Sequence, residues 1–278
     1  MISGRTFMEF PSPVRLLWLS SICLVLGRAI QAVWGNSGIV DFLAFESISG
    51  IVVKLFIPWE RYVSEVYPFL AEWASWGILF IYMISLLALI SRVQNRFVLS
   101  IGGILLLVEV VLALPGDFYW LAGLAAKTLM WSPVFFYIYS RRPSHNWSYV
   151  GRWAVAAVFV SHGLSALNFL PVPGSYSDMI TIVTGWSEGM ARSLLLIVGL
   201  LDIIAALTIL VMPGQYKFFW WYLILWGLAT ALARLGGNFS FQVDFASNSI
   251  WFAEMLIRLP HGLVPLALFL VVFPKAND

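Results

Sequence analysis

The sequence predicts an all-helical, polytopic membrane protein of eight transmembrane helices in two four-helix bundles. Three observations predict it. Apolar residue types make up 61% of the chain and charged types only 11%, whereas a soluble domain carries roughly 25% charged residues. The apolar residues fall in runs of about 20, the length that crosses a ~30 Å hydrocarbon core. The order of spans and loops in the first half of the chain also returns in the second.

The expected spans are 16–34, 67–91, 97–114, 119–139, 153–170, 189–211, 218–236 and 250–273. In the first, Arg28 interrupts what would otherwise read as the apolar core of a signal peptide, so the segment is expected to be retained. Residues 36–66 are too long for a tight turn. They carry GIVVKLFIPWERYVSEV, broken by Pro58, and read as an amphipathic helix on the outer surface, with a lid over a site as the second reading. The second span is apolar after Glu72, the third holds Glu109, and the fourth holds Lys127 and ends in WSPVFFYIYSRR. The fifth, WAVAAVFVSHGLSALNFL, has His162 near its midpoint. A long outer loop, PVPGSYSDMITIVTGWSEGMAR, leads to a sixth span with Asp202. The seventh ends at Arg234, and the eighth carries Glu254, Arg258 and His261.

Charge orients the spans. Arg5, Arg15, Arg92, Arg96, Arg141, Arg142, Arg152, Lys217 and Lys275 fall on one side; Asp41, Glu46, Glu60, Glu65, Asp117, Asp178, Glu188 and Asp244 fall on the other. The positive-inside rule then puts both termini in the cytoplasm, and tryptophans near the span ends, such as Trp59, Trp76, Trp120 and Trp186, form an interfacial belt. A net charge of +2 gives no reason to expect nucleic acid as a partner. The one cysteine, Cys23, excludes an internal disulfide, a thiol-pair relay and a multi-cysteine metal site.

The halves, 1–142 and 143–278, can be laid over each other. Trp120–Lys127 matches Trp251–Arg258 at equal spacing, Gly77 matches Gly199, and Arg28 falls near His162. Four spans per half make the repeat parallel, since an inverted repeat needs an odd number.

The segments RWAVAAVFVSHGLSAL, SEGMARSLLLIVGLLDIIAALTIL and FAEMLIRLPHG give the second half its resemblance to the four-helix DoxX/DoxD-like family of bacterial membrane proteins. Glu188, Gly199 and Gly163 fit that family's pattern; the first half fits more loosely through Gly27, Glu65 or Glu72, and Gly77. The resemblance implies a tandem duplication of the family unit in the bacterial inner membrane. It further implies an association with quinone-linked oxidation and membrane redox complexes, a role carried over by analogy alone.

Ionisable residues inside a span are costly and are functional candidates. The set is Arg28, Glu109, Lys127, His162, Arg192, Asp202, Arg234, Glu254, Arg258 and His261. For Arg192 and Arg234, near outer span ends, interfacial anchoring is the plain reading. Glu109 and Lys127 are candidates to pair, as are Glu254 and Arg258, four apart on one helical face. A structural ion-pair network is the plain reading of the whole set.

Three readings compete for His162 and His261. They are ligands to a b-type haem, with the glycine after each histidine clearing room for a flat macrocycle. Alternatively, with Arg258 and Asp202, they line a pocket for quinone or a small anion. Otherwise they are core histidines bonded across helices, with no cofactor at all. No Ser-His-Asp arrangement, phosphate loop or soluble catalytic domain is visible, so any chemistry lies inside the membrane or in a partner subunit, and whether the chain is an enzyme stays open. The leading expectation is an integral subunit of a quinone-linked redox complex. The alternatives are a small-anion carrier or channel and a structural subunit without cofactor.

Overall fold

The computed structural model describes residues 12–45, 48–91, 95–114, 119–142, 146–170 and 175–274. Arg5, Glu46, Arg92, Asp117, His145 and Lys275 lie outside them. Every regular element among the described residues is helical. Helix α1, Pro13–Val33, starts behind a Ser12 side chain that accepts from the Arg15 N–H, with Pro13 at the first helical position. Ser37 caps α2, Gly38–Ala44, in the same way. Next come α3, Ser49–Lys54, and a three-residue turn α4, Trp59–Arg61. The turn runs through a π-helical Tyr62–Val66 into α5, Tyr67–Ile90. The first half closes with α6, Arg96–Leu112, α7, Trp120–Ala126, a 3-10 turn at Thr128–Met130, and α8, Pro133–Ser140. The second contains α9, Trp147–Ala166, α10, Ser175–Thr184, α11, Glu188–Val211, α12, Lys217–Gly236, α13, Phe245–Arg258, and α14, Pro260–Val272.

Five stretches of described helix are long and apolar enough to cross a membrane: Pro13–Ala44, Trp59–Ile90, Glu188–Val211, Lys217–Gly236 and Phe245–Val272. Their outer faces are apolar. Phe69, Trp73, Phe80 and Leu87 of α5, and Ile197, Leu200, Leu207 and Val211 of α11, are all exposed. Continuous apolar surface of this extent belongs against lipid rather than water. Composition and helices together are those of a helical membrane protein.

Contacts between helices close into two rings. In the first, α1 packs on α5, α5 on α6, α6 on α8 and α8 on α1; in the second, α9 packs on α11, α11 on α12, α12 on α14 and α14 on α9. Helix α1 joins the rings by packing also on α13 and α14. Gly27 makes that approach close, since a Cβ there would lie 2.8 Å from the Ala253 carbonyl oxygen.

Two expectations are corrected. The continuous helix expected at 119–139 is broken into α7, a 3-10 turn and α8, which opens at Pro133, whereas the span expected at 250–273 is met by Phe245–Val272, with a single turn residue, Leu259, before Pro260. Proline has no N–H to give the preceding turn, and its ring crowds the residue before it. Within 36–66, α2 packs into the first ring against α5 and α6, while the stretch read as amphipathic leaves Ile51, Val53, Leu55 and Phe56 exposed. A Cβ on Gly38 would overlap the Glu109 carbonyl oxygen, so only glycine permits this seat. The chain does break at Pro58 as expected, after a tight turn with Phe56 at φ +61°. Finally, α9 ends at Ala166, so His162 stands about one turn from its end rather than at mid-span.

Candidate functional site

The second ring encloses a cavity of about 250 Å³. His162 reaches it from the last turn of α9, Asp202 from α11, Arg258 from the end of α13 and His261 from the first turn of α14. All four predicted site residues therefore share one space. Arg258 and His261 are three residues apart and so share a helical face, and the Leu259 N–H still bonds back to the Met255 carbonyl where α13 meets α14.

The imidazoles lie close, with ring centroids 6.0 Å apart and planes at 44°. Each uses Nδ1. His162 Nδ1 shares a 2.8 Å hydrogen bond with the Tyr176 hydroxyl. His261 Nδ1 is 3.0 Å from the Arg258 carbonyl oxygen, and since a carbonyl only accepts, this nitrogen carries the hydrogen. Asp202 is almost fully buried and accepts from the Tyr222 hydroxyl at 2.7 Å. Arg258 faces Glu254 one turn back, at 3.8 Å between Nε and Oε2. Glu254 is held from the other half, because Gln31 of α1 donates to its Oε1 at 2.6 Å. Arg28 donates to Gln31 Oε1 at 2.9 Å and lies 3.9 Å from Glu109. A polar chain thus crosses from the first ring to the cavity wall.

Two cavity residues have other origins. Arg234, expected to anchor at the interface, lines the cavity instead, with its guanidinium 6.0 Å from the Tyr176 ring centre. Arg192 does lie outside, exposed and paired to Glu188 at 2.7 Å. Tyr176 comes from α10, in what the sequence presents as an outer loop. Its signal was there: Tyr176, Met179, Ile180 and Val183 follow the i, i+3, i+4, i+7 spacing of an apolar helical face, and all four line the cavity. In the first half, Glu109 takes Arg28 as its ion-pair partner and accepts from the Tyr82 hydroxyl at 2.7 Å.

The glycines after the histidines do not play the part expected of them. The glycines that would clear space for a macrocycle bring helices together. A Cβ on Gly163 would lie 2.6 Å from the Gly199 carbonyl oxygen, and one on Gly262 would strike Leu228 and lie 2.9 Å from the Ile224 carbonyl oxygen. Among the described residues no group of three or more His, Cys, Asp or Glu is placed to hold a metal ion. The cavity wall is otherwise apolar, with Phe159, Ile180, Leu194, Leu195, Val198 and Trp226. Imidazole, guanidinium, phenol and carboxyl groups thus meet a mostly hydrocarbon wall in one space. No family model matches the chain, and no curated protein or solved structure is significantly similar to it.

Proposed function

We propose that the protein is an integral subunit of a quinone-linked redox complex in the bacterial inner membrane, and that the cavity of the second ring holds the quinone. On this reading the chain is a tandem pair of DoxX-like four-helix units with eight spans and both termini in the cytoplasm. The segments 119–139 and 250–273 are the fourth span of each unit, a pairing supported by the equal spacing of Trp120–Lys127 and Trp251–Arg258. The observation that carries the proposal is the composition of the second ring's cavity: Arg234, Arg258, His162 and His261 in a mostly apolar wall. A quinone brings carbonyl acceptors for the arginines and a ring for Phe159 and Trp226. It reaches the site through lipid, as suits a protein whose outer faces are apolar. A small-anion carrier would use the same two arginines, but a hydrated anion gains nothing from hydrocarbon walls.

The chain's own residues would act by position. Arg258, braced by Glu254, would orient one carbonyl, and His162, braced by Tyr176, would stand beside the ring. The test is saturable quenching of tryptophan fluorescence by a short-chain ubiquinone in lipid nanodiscs. Arg258→Ala should weaken binding about tenfold, the value of a hydrogen bond to a charged group. Unsaturable quenching, equal in both proteins, would remove the quinone reading. Anion flux in liposomes abolished by the same substitution would put a carrier in its place.

A further inference from the structure

Nε2 of His261 is buried and has no hydrogen-bond partner. The residue is 4% exposed and lines the cavity. Because Nδ1 donates to the Arg258 carbonyl, the neutral ring presents a bare lone pair at Nε2. A buried acceptor left without a donor costs free energy, so buried polar groups have partners. None of the cavity's own donors reaches it: the Tyr176 hydroxyl is engaged by His162, the Thr184 and Thr230 hydroxyls donate to the Ile180 and Gly227 carbonyls, and the guanidiniums of Arg234 and Arg258 make no hydrogen bond to it. An oxidised quinone has only carbonyl oxygens, which accept from Arg234 and Arg258 but give nothing to Nε2.

We infer that the cavity selects a hydroxyl-bearing ligand, the reduced quinol rather than the quinone, whose hydroxyl donates to Nε2 of His261. The inference rests on the quinone reading for its ligand class and on the His261 geometry for its redox form. A quinol satisfies both sides of the cavity, because one hydroxyl donates to Nε2 while the oxygen of the other accepts from a guanidinium. The hydroxyl hydrogen then already lies along the line to an imidazole nitrogen able to receive it. His261 is the residue that distinguishes the two redox forms; Arg234 and Arg258 bind both.

The test compares duroquinol with duroquinone under anaerobic conditions, in nanodiscs, on the full chain. Duroquinol should bind about tenfold more tightly, the effect of satisfying one buried polar group, and His261→Phe should abolish that preference. Wild-type protein with isotope-labelled histidine gives a second readout that needs no variant to fold: the Nε2 resonance of His261 should shift with duroquinol and not with duroquinone. Equal binding of the two, or tighter binding of duroquinone, overturns the inference and leaves the quinone site standing. If neither binds, the quinone reading falls, and para-heptylphenol against para-heptylanisole decides the rest. A His261-dependent preference for the phenol keeps the hydroxyl assignment, while no preference or no binding ends it.

Discussion

In the first ring Arg28, Glu109 and Tyr82 close on one another, whereas in the second His162, Asp202, Arg234, Arg258 and His261 stand around a space. The difference begins with what faces the first helix of each ring. Arg28 has a full charge and meets the carboxylate of Glu109 on α6, while α2, seated through Gly38, caps the pair from above. His162 has no such carboxylate partner and is held by a phenol on α10, a helix set against α11 and α12. The cavity's polar groups are also held from behind: Arg258 by Glu254, Glu254 by Gln31, and His261 by the Arg258 backbone. Their front faces are left for a ligand. A polar cluster whose opposite charges face each other is structural; one braced from outside and set around a cavity is arranged for something else.

The largest expected effect is at the first ring. Glu109→Leu leaves Arg28 facing a buried gap and should cost about 3–5 kcal/mol in denaturant unfolding in detergent. Adding Arg28→Met should recover most of it, since an apolar pair of similar volume replaces a buried ion pair at little cost. Asp202→Asn keeps an acceptor for Tyr222 and should cost only about 1 kcal/mol. Equal losses at Glu109 and Asp202 would break the contrast between the rings.

Packing gives the next test. Gly77 and Gly199 match in the sequence, yet a Cβ at Gly199 would lie 2.8 Å from the Ala166 Cβ and 3.0 Å from the Gly163 carbonyl oxygen, whereas one at Gly77 meets open space. Gly199→Ala should therefore destabilise by about 1–3 kcal/mol. Gly77→Ala should be neutral or stabilise by up to about 1 kcal/mol, the helix preference of alanine over glycine. Similar losses at both would mean that the second ring is no more tightly closed than the first.

The brace between the rings should have a smaller effect. Gln31→Leu leaves Glu254 Oε1 without its donor and frees Arg258 to move, so quinone affinity should fall about fivefold, equivalent to roughly 1 kcal/mol. In an Arg258→Ala background the same change should do nothing more, because the two act through one contact. Additive losses in this double-mutant cycle would make Gln31 a general packing residue rather than part of the site.

Much of this was legible in the sequence. The costly residues in apolar spans picked out His162, His261, Arg258 and Asp202, and the fold places all four on one cavity. The Glu254–Arg258 pair followed from helical spacing alone. Three features were missed. Helix α10 lies in a segment too short to span, and a count of long apolar runs passes over it, taking Tyr176 with it. Arg234 at a helix end looks the same in sequence whether it points to the interface or turns inward; what decides is the neighbour, Tyr176. The glycines after the histidines suggested open space, but a missing side chain serves equally to let two backbones touch, and here Gly163 and Gly262 do that.

The smallest effect sharpens the comparison at the helix caps. Ser37 opens α2 and Asp244 opens α13, each side chain accepting a backbone N–H three residues on, at 3.2 Å from Val40 and 2.7 Å from Ser247. The serine cap does not titrate. The aspartate does, and its hydrogen bonds from Ser247 hold its carboxyl below the ordinary carboxylate range. A group whose folded pKa is depressed lends stability that is present above its unfolded pKa and is lost as pH falls through the folded one. Acidification should thus loosen the start of α13, and hydrogen exchange at Ser247 should speed up relative to Val40. Asp244→Ser should remove the pH dependence and keep the cap. The step is small because Asp244 is fully exposed and water screens its charge, yet α13 carries Glu254 and Arg258 to the cavity wall. If exchange at Ser247 and Val40 responds equally to acid, fraying at the far end of α13 is not a property of its cap.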